Sequence, residues 1–378
     1  MNCLMIILGI ESSCDDTSVA LIETNSSTLS YSPSDNGENF VVLAEKTASQ
    51  IEVHKKYGGV VPEIAGRMHA ENIMPLIECV LEEAEIATVV PTKSGLLRND
   101  SHFKPDVIAV TSGPGLITGL LVGVEAAKTL SYLWDVPLVS VNHIDGHVHS
   151  VEIRNPKLET RNQLVFPALC LIVSGGHTEL LLMENHDKYK LLGKTRDDAV
   201  GETFDKVAKL IGFDYPGGAK ISQTAEGGNT KAINFPRPML DKGYEFSFAG
   251  LKTSALYWLR DNVNKQPTTY NLQPTTLKNF CASFEQAIID VLTTKTLRAV
   301  KEFKPKTVII GGGVSANKKL RNELDRQLKT IGSELLAPNL RYSMDNAAMI
   351  AVAGYYKAKK KNYTNWKKIE ANPNWRLA

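Results

Sequence analysis

Two stretches of the chain share one order of apolar and polar positions. In the first, apolar runs at 4–10 and 18–22 flank a polar turn. In the second, apolar runs at 168–173 and 179–183 flank the turn 174–178. An apolar run, a short turn with hydroxyls and glycines, and a second apolar run are typical of a β-hairpin. The pattern therefore predicts one hairpin in each half of the chain.

Each predicted hairpin is followed further along by a strand, a glycine loop and a helix. These parts span 106–110, 111–115 and 122–132 in the first half, and 307–310, 311–313 and 316–328 in the second. A glycine loop before a helix N-terminus offers backbone N–H groups and the positive helix end to a phosphate group. One such loop is common in α/β proteins. Two hairpins and two loops in the same order instead predict duplicated α/β lobes with a nucleotide in the cleft between them.

The length of 378 residues also favours two lobes, because single cores stop growing at about 250–300 residues. We expect an N-terminal α/β lobe at 1–140 and a C-terminal α/β lobe at 141–344. The C-terminal helix, 345–378, is a candidate addition to the first lobe. Two polar and broken segments, 25–39 and 91–104, are typical of loop insertions in that lobe.

Apolar residues at helical spacing predict an amphipathic helix over 67–86. Its apolar face would pack in the core of the first lobe, and its exposed part is a candidate partner surface. Core packing alone explains the same pattern, so both interpretations stay open.

Composition narrows the class of protein more than its function. With 43% hydrophobic and 22% charged residues the chain is typical of a globular protein, and a net charge of +2 neither demands nor excludes a polyanionic partner. The five cysteines contain no CxxC pair, which argues against a disulfide framework or a zinc ribbon and favours a reducing compartment. No apolar run approaches the roughly 18–20 residues of a membrane span, and no leader precedes the first strand. We therefore expect a cytoplasmic protein with no membrane partner.

The glycine loops match none of the common nucleotide signatures. The chain has no GxxxxGK[ST] motif, and the loop at 311–315 departs from GxGxxG. A protein-kinase set of HRD and DFG motifs is also missing from the sequence. A P-loop is therefore excluded, and a dinucleotide-binding fold is poorly supported.

His143 and His147 stand four residues apart, just after an apolar run at 137–141. On a helix this spacing places both rings on one face, as a transition metal requires. Gly146 costs about 1 kcal/mol relative to Ala in a helix interior, which indicates that a small residue is needed there. The glutamate of HExxH metallopeptidases is missing, since the nearby acid, Asp145, comes one position later. A metal-binding pair and a chance surface pair both fit the spacing alone.

A third metal ligand is expected from a carboxylate elsewhere in the chain. The best candidate is Asp345 at the head of an apolar helix, although an Asp there also suits an N-cap. His149 is left out of the set because it faces another side of the helix. Two histidines and one carboxylate suit iron or zinc and leave coordination positions open for a substrate.

Basic and aromatic residues are interleaved near the C-terminus. They are Lys357, Lys359, Lys360, Lys361, Tyr363, Trp366, Lys367, Lys368, Trp375 and Arg376. Such residues can bind phosphate groups and stack on bases of RNA. A solvated helix end with packing aromatics explains the pattern equally well.

Ten blocks of the sequence resemble, in order, those of the tRNA threonylcarbamoyladenosine transferases, a family once described as sialoglycoprotein endopeptidases. The blocks are 9–17, His54 with 57–63, 112–116, 142–147, 173–178, 197–206, 215–218, 246–253, 312–317 and 345–348. The catalytic subunits of the bacterial-type branch are the most similar. The resemblance implies an α/β protein with the two-lobed actin/hexokinase/Hsp70-like fold.

The resemblance also implies roles for particular residues. The metal ligands would be His143, His147 and Asp345, while Asp15 and Asp16 would lie in the first phosphate turn and act in catalysis. The adenylate would contact Ile172, Val173, Ser174, Gly175, Gly176, Asp205, Gly218 and Asn317. The chain departs from the family in carrying an aspartate at position 145, where Glu is usual, and in its two insertions. These departures bear on the details of partner docking rather than on the chemistry.

The reaction implied by the resemblance is attack of the N6 amine of adenosine 37, just 3′ of the tRNA anticodon, on the carbonyl of threonylcarbamoyl-AMP. AMP leaves, and the tRNAs concerned read codons that begin with A. One divalent metal is implied, with iron favoured over zinc. The implied protein partners are a degenerate paralogue bound to the N-terminal lobe and a small P-loop ATPase.

Two other classes of enzyme stay open from the sequence. One is a small-molecule kinase or ATPase of the same fold, which has no reason to carry two histidines and an aspartate as metal ligands. The other is a metallopeptidase, which the missing glutamate of HExxH disfavours. A non-catalytic scaffold is disfavoured because every expected ligand position is filled.

Overall fold

The computed structural model describes residues 4–25, 39–89, 104–153, 164–263 and 269–378. The strands are β1 (Met5–Glu11), β2 (Asp16–Asn25), β3 (Asn39–Ser49), β4 (Val107–Gly113), β5 (Leu138–Asn142), β6 (Ala168–Val173), β7 (Thr178–Asn185), β8 (Lys188–Lys194), β9 (Thr307–Gly311) and β10 (Glu334–Leu336). The helices are α1 (Ile51–His54), α2 (Pro62–Val89), α3 (Ile117–Trp134), α4 (His143–His149), α5 (Val200–Leu210), α6 (Gly218–Ala225), α7 (Ala249–Asn262), α8 (Pro274–Phe303), α9 (Lys318–Thr330) and α10 (Ala347–Lys359). None of the helices within these ranges is both long and apolar enough to cross a membrane.

The first of two compact units contains a five-stranded sheet in the order β3-β2-β1-β4-β5. β1 pairs antiparallel with β2 and parallel with β4. Successive residues of β1 face opposite sides, so Ile6 and Leu8 pack with α2 and α3, whereas Ile7 packs with α10. The central strands are apolar at nearly every position because helices cover both faces of the sheet.

Two glycines permit the close packing of α10 on this sheet. A Cβ atom on Gly9 of β1 would lie 2.2 Å from the carbonyl oxygen of Ala347. A Cβ atom on Gly354 of α10 would lie 2.4 Å from the Cβ atom of Ala109. The helix expected at 345–378 therefore belongs to the first unit, although it ends at Lys359 and an irregular segment follows it.

The second unit contains a five-stranded sheet in the order β10-β9-β6-β7-β8. β6 pairs antiparallel with β7 and parallel with β9, as β1 does with β2 and β4. Read from the hairpin side, the two sheets have the same strand order and the same strand directions. The predicted duplication of an α/β architecture is thus confirmed, together with both hairpins and both strand–loop–helix segments.

The bounds of the two units differ from the expected ones. The first unit comprises Met1–Glu52, Val60–Gln163 and Pro338–Leu377, and the second comprises Val53–Gly59 and Leu164–Ala337, with Ala378. The boundary expected at residue 140 falls inside β5, which pairs with β4 and cannot leave the first sheet. The expected insertions, 25–39 and 91–104, lie outside the described residues except at their ends. The helix predicted over 67–86 is α2, which is longer at both ends.

Candidate metal centre and substrate-binding residues

The helix α4 places the two histidines of the predicted pair side by side. It begins directly after β5, where the Asn142 side chain caps it by accepting a hydrogen bond from the Ile144 N–H at 2.9 Å. The rings of His143 and His147 lie 4.6 Å apart between centroids, and both are buried. A Cβ atom on Gly146 would lie 2.7 Å from Cδ1 of an isoleucine on α10, so an added methyl group there would force that side chain to shift.

Asp345 lies two residues before the start of α10, and its side chain approaches both histidines. Its Oδ1 atom lies 3.5 Å from Nε2 of His143 and 3.2 Å from Nε2 of His147. The N-cap of α10 is Asn346, whose side chain accepts a hydrogen bond from the Met349 N–H at 2.9 Å. The alternative in which Asp345 caps the helix is therefore wrong, and its carboxylate faces the histidines instead.

These three side chains fit the requirements of a transition-metal site. Their ligand atoms all lie within 4.8 Å of one another, and the two separations from Asp345 match the roughly 3–3.5 Å expected between neighbouring ligands with bonds of about 2.1 Å. Among the described residues, neither buried ring nitrogen of His147 makes a well-aligned hydrogen bond, although Nε2 lies 3.2 Å from the Asp345 carboxylate. Burial lowers the pKa of His147, which favours the neutral ring that a metal binds. A histidine ring without a partner in a protein interior is costly unless a ligand satisfies it.

Glu11, at the end of β1, orients His143 from the opposite side. It is fully buried, and its Oε2 atom lies 2.9 Å from Nδ1 of His143. It also accepts hydrogen bonds from the Ser13 N–H at 2.6 Å and from the Thr111 hydroxyl at 2.7 Å. With Nδ1 bound to this carboxylate, Nε2 of His143 faces the other two candidate ligands. The residue arguments from sequence missed Glu11, although an acid at the end of an otherwise apolar strand was a usable signal.

The electrostatic surroundings of Glu11 and His143 favour a buried ion pair. Burial lowers the pKa of His143, but the carboxylates of Glu11 and Asp345 overcome this and raise it to about 9. Burial likewise raises the pKa of Glu11, but the charge and hydrogen bond of His143 lower it below its usual value. In the absence of a metal, each group therefore stabilises the charged form of the other.

The remaining histidine of α4 belongs to a separate cluster. His149 is buried, with Nδ1 2.5 Å from Glu152 and Nε2 3.4 Å from Asp145. Burial lowers the pKa of His149, and the two carboxylates raise it to about 10. Asp145 thus serves His149 and does not face the candidate metal centre. It cannot replace the general base of an HExxH peptidase.

Asp15 and Asp16 lie at the turn between β1 and β2 in the same unit. Asp15 is half-buried, and its carbonyl oxygen accepts a hydrogen bond from the Gln50 N–H at 3.0 Å. Asp16 begins β2 and is buried, and its Oδ1 atom has no hydrogen-bond partner among the described residues. Burial raises the pKa of Asp16 to about 7; a hydrogen bond with Ser49 opposes the rise, and the Asp345 carboxylate adds to it. Asp16 is therefore a carboxyl group that titrates near neutral pH.

The second unit holds the other residues expected at the site, beginning with Ile172–Gly176. Ile172 and Val173 end β6, and the Ser174 hydroxyl accepts a hydrogen bond from the N–H of His177 at 3.1 Å, which closes the turn. A Cβ atom on Gly175 or Gly176 would meet no atom of the described residues within 4 Å, so the tip of this hairpin is open with respect to them. The second glycine loop packs against it, since a Cβ atom on Gly312 would lie 2.5 Å from the Val173 carbonyl oxygen.

Asp205, Gly218 and Asn317 are connected through α6. Oδ1 of Asp205 accepts hydrogen bonds from the N–H groups of Gly217 at 2.7 Å and Gly218 at 3.3 Å, which fixes the start of α6. Ser222 of α6 accepts a hydrogen bond from the side-chain amide of Asn317 at 2.8 Å. The same amide donates a hydrogen bond to the buried Glu285 at 2.7 Å. The side-chain oxygen of Asn317 caps α9. The structure thus links these residues through α6 and adds Glu285, a residue not expected from sequence.

The first glycine loop does not offer its backbone to a ligand in the expected way. The Gly115 N–H donates a hydrogen bond to the carbonyl oxygen of Pro373 at 3.3 Å. A Cβ atom on Gly113 would lie 1.9 Å from the carbonyl oxygen of Asn372, so the C-terminal segment lies directly on the loop. The glycines here permit packing within the unit, and the Gly115 N–H, one of the groups that this loop could offer to a phosphate group, donates to the protein itself.

Comparison with known proteins places this architecture in a class. A crystal structure of T. kodakarensis HypF matches 97% of this chain and 49% of its own, with a TM-score of 0.55 at 13% identity. The chain is thus an α/β protein of the actin/hexokinase/Hsp70-like fold class, with one five-stranded sheet in each unit. The family model described as tRNA N6-adenosine threonylcarbamoyltransferase matches residues 41–352. The chain belongs to this family and is an enzyme of the transferase class.

Curated relatives agree with the family model over nearly the whole chain. A tRNA N6-adenosine threonylcarbamoyltransferase of Thermosipho melanesiensis is 44% identical over 374 residues, covering 99% of this chain and 100% of its own. The protein of the same name from Bacillus subtilis is 44% identical over 352 residues, covering 93% of this chain and 90% of its own. The family resemblance found from sequence blocks is therefore confirmed.

Proposed function

We propose that this enzyme transfers the threonylcarbamoyl group of threonylcarbamoyl-AMP to N6 of adenosine 37, beside the anticodon, in tRNAs that read codons beginning with A. AMP is the second product. The observation that carries the proposal is the convergence of His143, His147 and Asp345 in a chain that belongs to this family. A kinase of the same fold has no use for three ligands so arranged.

One divalent metal ion, iron in preference to zinc, would be held by His143, His147 and Asp345. When bound, it supplies Lewis-acid polarisation and a template for the donor. Two features support this role: the buried His147 ring makes no well-aligned hydrogen bond with the described residues, and His143 has a fixed orientation. Two nitrogen ligands and one carboxylate are a set that iron uses with positions left open.

The second unit would bind the adenylate part of the donor. The open hairpin tip at Ser174–Gly176 has room for a phosphate group beside its backbone N–H groups. Asp205 would hold sugar hydroxyls, since an ionised carboxylate accepts several hydrogen bonds. Asn317 is held by Ser222, Glu285 and its own helix, so we propose that it shapes the adenosine pocket through this fixed network.

Asp16 is the better of the two candidate proton acceptors. The N6 amine attacks the carbonyl carbon, the bond from that carbon to the phosphate oxygen breaks, and the amine must lose a proton. Asp16 has a buried oxygen that no other described residue hydrogen-bonds and a pKa of about 7, which suits a general base at neutral pH. Asp15 would orient the amine from the same turn.

The surroundings of the histidine pair disfavour a peptidase. Glu11 is the carboxylate bonded to His143, but it binds the ring nitrogen that faces away from Asp345. Asp145 is engaged with His149. Neither carboxylate can activate a water molecule at the open side of the candidate metal centre.

Protein partners and a cytoplasmic location are part of the proposal. A degenerate paralogue would bind the N-terminal unit, and a small P-loop ATPase would complete the assembly. Three exposed apolar side chains of α2 and α3 support a partner surface: Met74, Ile117 and Leu121. tRNA is the proposed macromolecular substrate, and no membrane partner is proposed.

The test is a transfer assay with threonylcarbamoyl-AMP, the partner proteins and an unmodified tRNA that has adenosine beside its anticodon. We expect the modified nucleoside by mass spectrometry, and His143→Ala should abolish it. No product from folded, metal-loaded protein with its partners would overturn the transferase proposal. Phosphorylation of small sugars would then be the next reaction to measure.

A further inference from the structure

We propose that the C-terminal segment 357–378, here called the basic segment, binds the phosphate backbone of tRNA beside the candidate metal centre. The inference rests on the proposed function for the identity of the RNA. It concerns a surface, and its test does not depend on the transfer reaction.

The positive charge of the chain is concentrated in this segment. The whole chain has 43 Lys and Arg against 41 Asp and Glu. The basic segment holds seven of these basic residues and a single acid, Glu370. The other residues therefore carry 36 basic against 40 acidic groups and are net negative, while the segment is net positive by six. Charge asymmetry of this kind is the usual electrostatic mark of nucleic-acid binding.

The structure exposes most of this charge. The exposed basic residues of the segment are Lys359, Lys360, Lys361, Lys367, Lys368 and Arg376. Tyr363, between the two lysine groups, is 43% exposed and offers a ring on which a base could stack. The seventh basic residue, Lys357, is largely buried and donates a hydrogen bond to the carbonyl oxygen of Ser140 at 2.9 Å.

The segment is held in place on the first unit, so its charges have fixed positions. The Thr364 N–H donates a hydrogen bond to the Leu138 carbonyl oxygen at 2.7 Å. The ring of Trp366 lies 5.0 Å from that of Tyr132 between centroids, and Ile369 is buried in the core. Aromatics of the segment therefore serve packing as well, and a preorganised surface loses less entropy on binding than a free tail.

The far end of the segment lies next to the candidate metal centre. The Asn372 N–H donates to the Ser112 carbonyl oxygen at 2.7 Å, beside the first glycine loop. The Trp375 carbonyl oxygen accepts a hydrogen bond from the side chain of Asn142 at 3.3 Å. Asn142 caps α4 and directly precedes the ligand His143. The C-terminal end of the basic segment therefore contacts the residue that precedes a candidate metal ligand.

The test compares two fourfold charge reversals. The first variant carries Lys360→Glu, Lys361→Glu, Lys367→Glu and Lys368→Glu. The matched control carries Lys188→Glu, Lys231→Glu, Lys301→Glu and Lys329→Glu, which are exposed lysines of the second unit. A third variant carries Gln at the four positions of the first variant, so its change in charge is half as large. Binding of labelled, unmodified tRNA is measured by fluorescence anisotropy at several salt concentrations between about 50 and 200 mM.

We expect the first variant to bind tRNA at least about 10-fold more weakly, with the neutral form between it and the parent protein. The slope of log K against log salt should fall by roughly 0.7–0.9 for each phosphate group that the variant no longer neutralises. The control should bind within about 2-fold of the parent despite its equal net charge. Unchanged metal content and unfolding temperature would show that the variants remain folded.

Equal losses in both variants would mean a general charge effect and would overturn the proposal. Unchanged tRNA binding in the first variant would also overturn the proposal. This holds even if that variant binds a protein partner or anionic vesicles more weakly. Failure of the proposed function would give a different result in the transfer assay. The parent protein would then form no modified nucleoside, whatever its affinity for tRNA.

Discussion

At the scale of single residues, the candidate metal centre depends on one carboxylate that does not face it. Glu11 accepts three hydrogen bonds and takes the Nδ1 side of His143. Such a partner fixes both the tautomer and the ring orientation of a ligand histidine. In the part of the chain that the structure describes, no carboxylate binds Nδ1 of His147, so the order of the site depends on Glu11.

Glu11→Gln should lower metal affinity by about 10- to 100-fold, because the amide holds the imidazole less firmly and provides no charge. Affinity is measured by competition with a chelator and by the metal content of the purified protein. The matched control is Glu152→Gln. It alters the carboxylate beside His149, which lies on α4 as His143 does. Equal metal loss in both variants would assign the effect to stability rather than to orientation of His143.

Asp16 provides a prediction about pH. A general base must be deprotonated, so the transfer rate should rise with pH up to about 7, the pKa of Asp16, and then level off. Asp16→Asn should lower kcat by about 10²- to 10⁴-fold and flatten this rise. Asp15→Asn is the control variant, and we expect its transfer rate still to rise with pH. An unaltered pH profile in Asp16→Asn would exclude it as the proton acceptor.

At the scale of elements, the site is assembled by the contact of α4 with α10. α4 provides both histidines, and the turn before α10 provides Asp345. Gly146 lets the helices approach, because a Cβ atom there would lie 2.7 Å from Cδ1 of Ile350. The distance between helices therefore sets the distance between ligands.

Gly146→Ala should destabilise the protein by about 1–2 kcal/mol, since the overpacking cost exceeds the gain in helix propensity of roughly 1 kcal/mol. It should also weaken metal retention. Adding Ile350→Val removes the Cδ1 atom and should recover part of both losses, whereas Ile350→Val alone should retain metal. Denaturant unfolding and metal content provide the measurements. A stabilised Gly146→Ala variant would show that α4 and α10 have room to spare.

At the scale of the whole molecule, the chain returns to its first unit at the end. After the second unit, residues 338–377 add α10 and the basic segment to the unit in which the chain began. Ile369, only 2% exposed, packs in the core formed with α2 and α3. The C-terminal segment is therefore part of the fold and not an appendage.

Ile369→Ala should accordingly cost about 2–4 kcal/mol of stability through lost burial and a residual cavity. Ile331→Ala, at a side chain that is 40% exposed, is the control and should cost less than about 1 kcal/mol. Thermal and denaturant unfolding compare the two. Equal small losses would mean that the segment is not integral to the first core.

Features that depend on near neighbours in the chain were determined by sequence alone. Both hairpins, the strand–loop–helix segments and the shared face of His143 and His147 follow from local periodicity, and all are present in the structure. The order of motif blocks was also sufficient to find the family. Local hydrophobic patterning predicts such elements because a helix and a strand each repeat their buried positions with a fixed period along the chain.

Tertiary structure decided what depends on contacts between distant residues. Glu11 and Asp345 reach His143 from positions far away in the chain, and no local pattern specifies which acid faces which ring nitrogen. The Gly115 N–H looked available to a phosphate group, yet the Pro373 carbonyl oxygen takes it. Backbone polar groups must find partners in the folded chain, and only the fold shows whether the partner is a ligand or the protein itself.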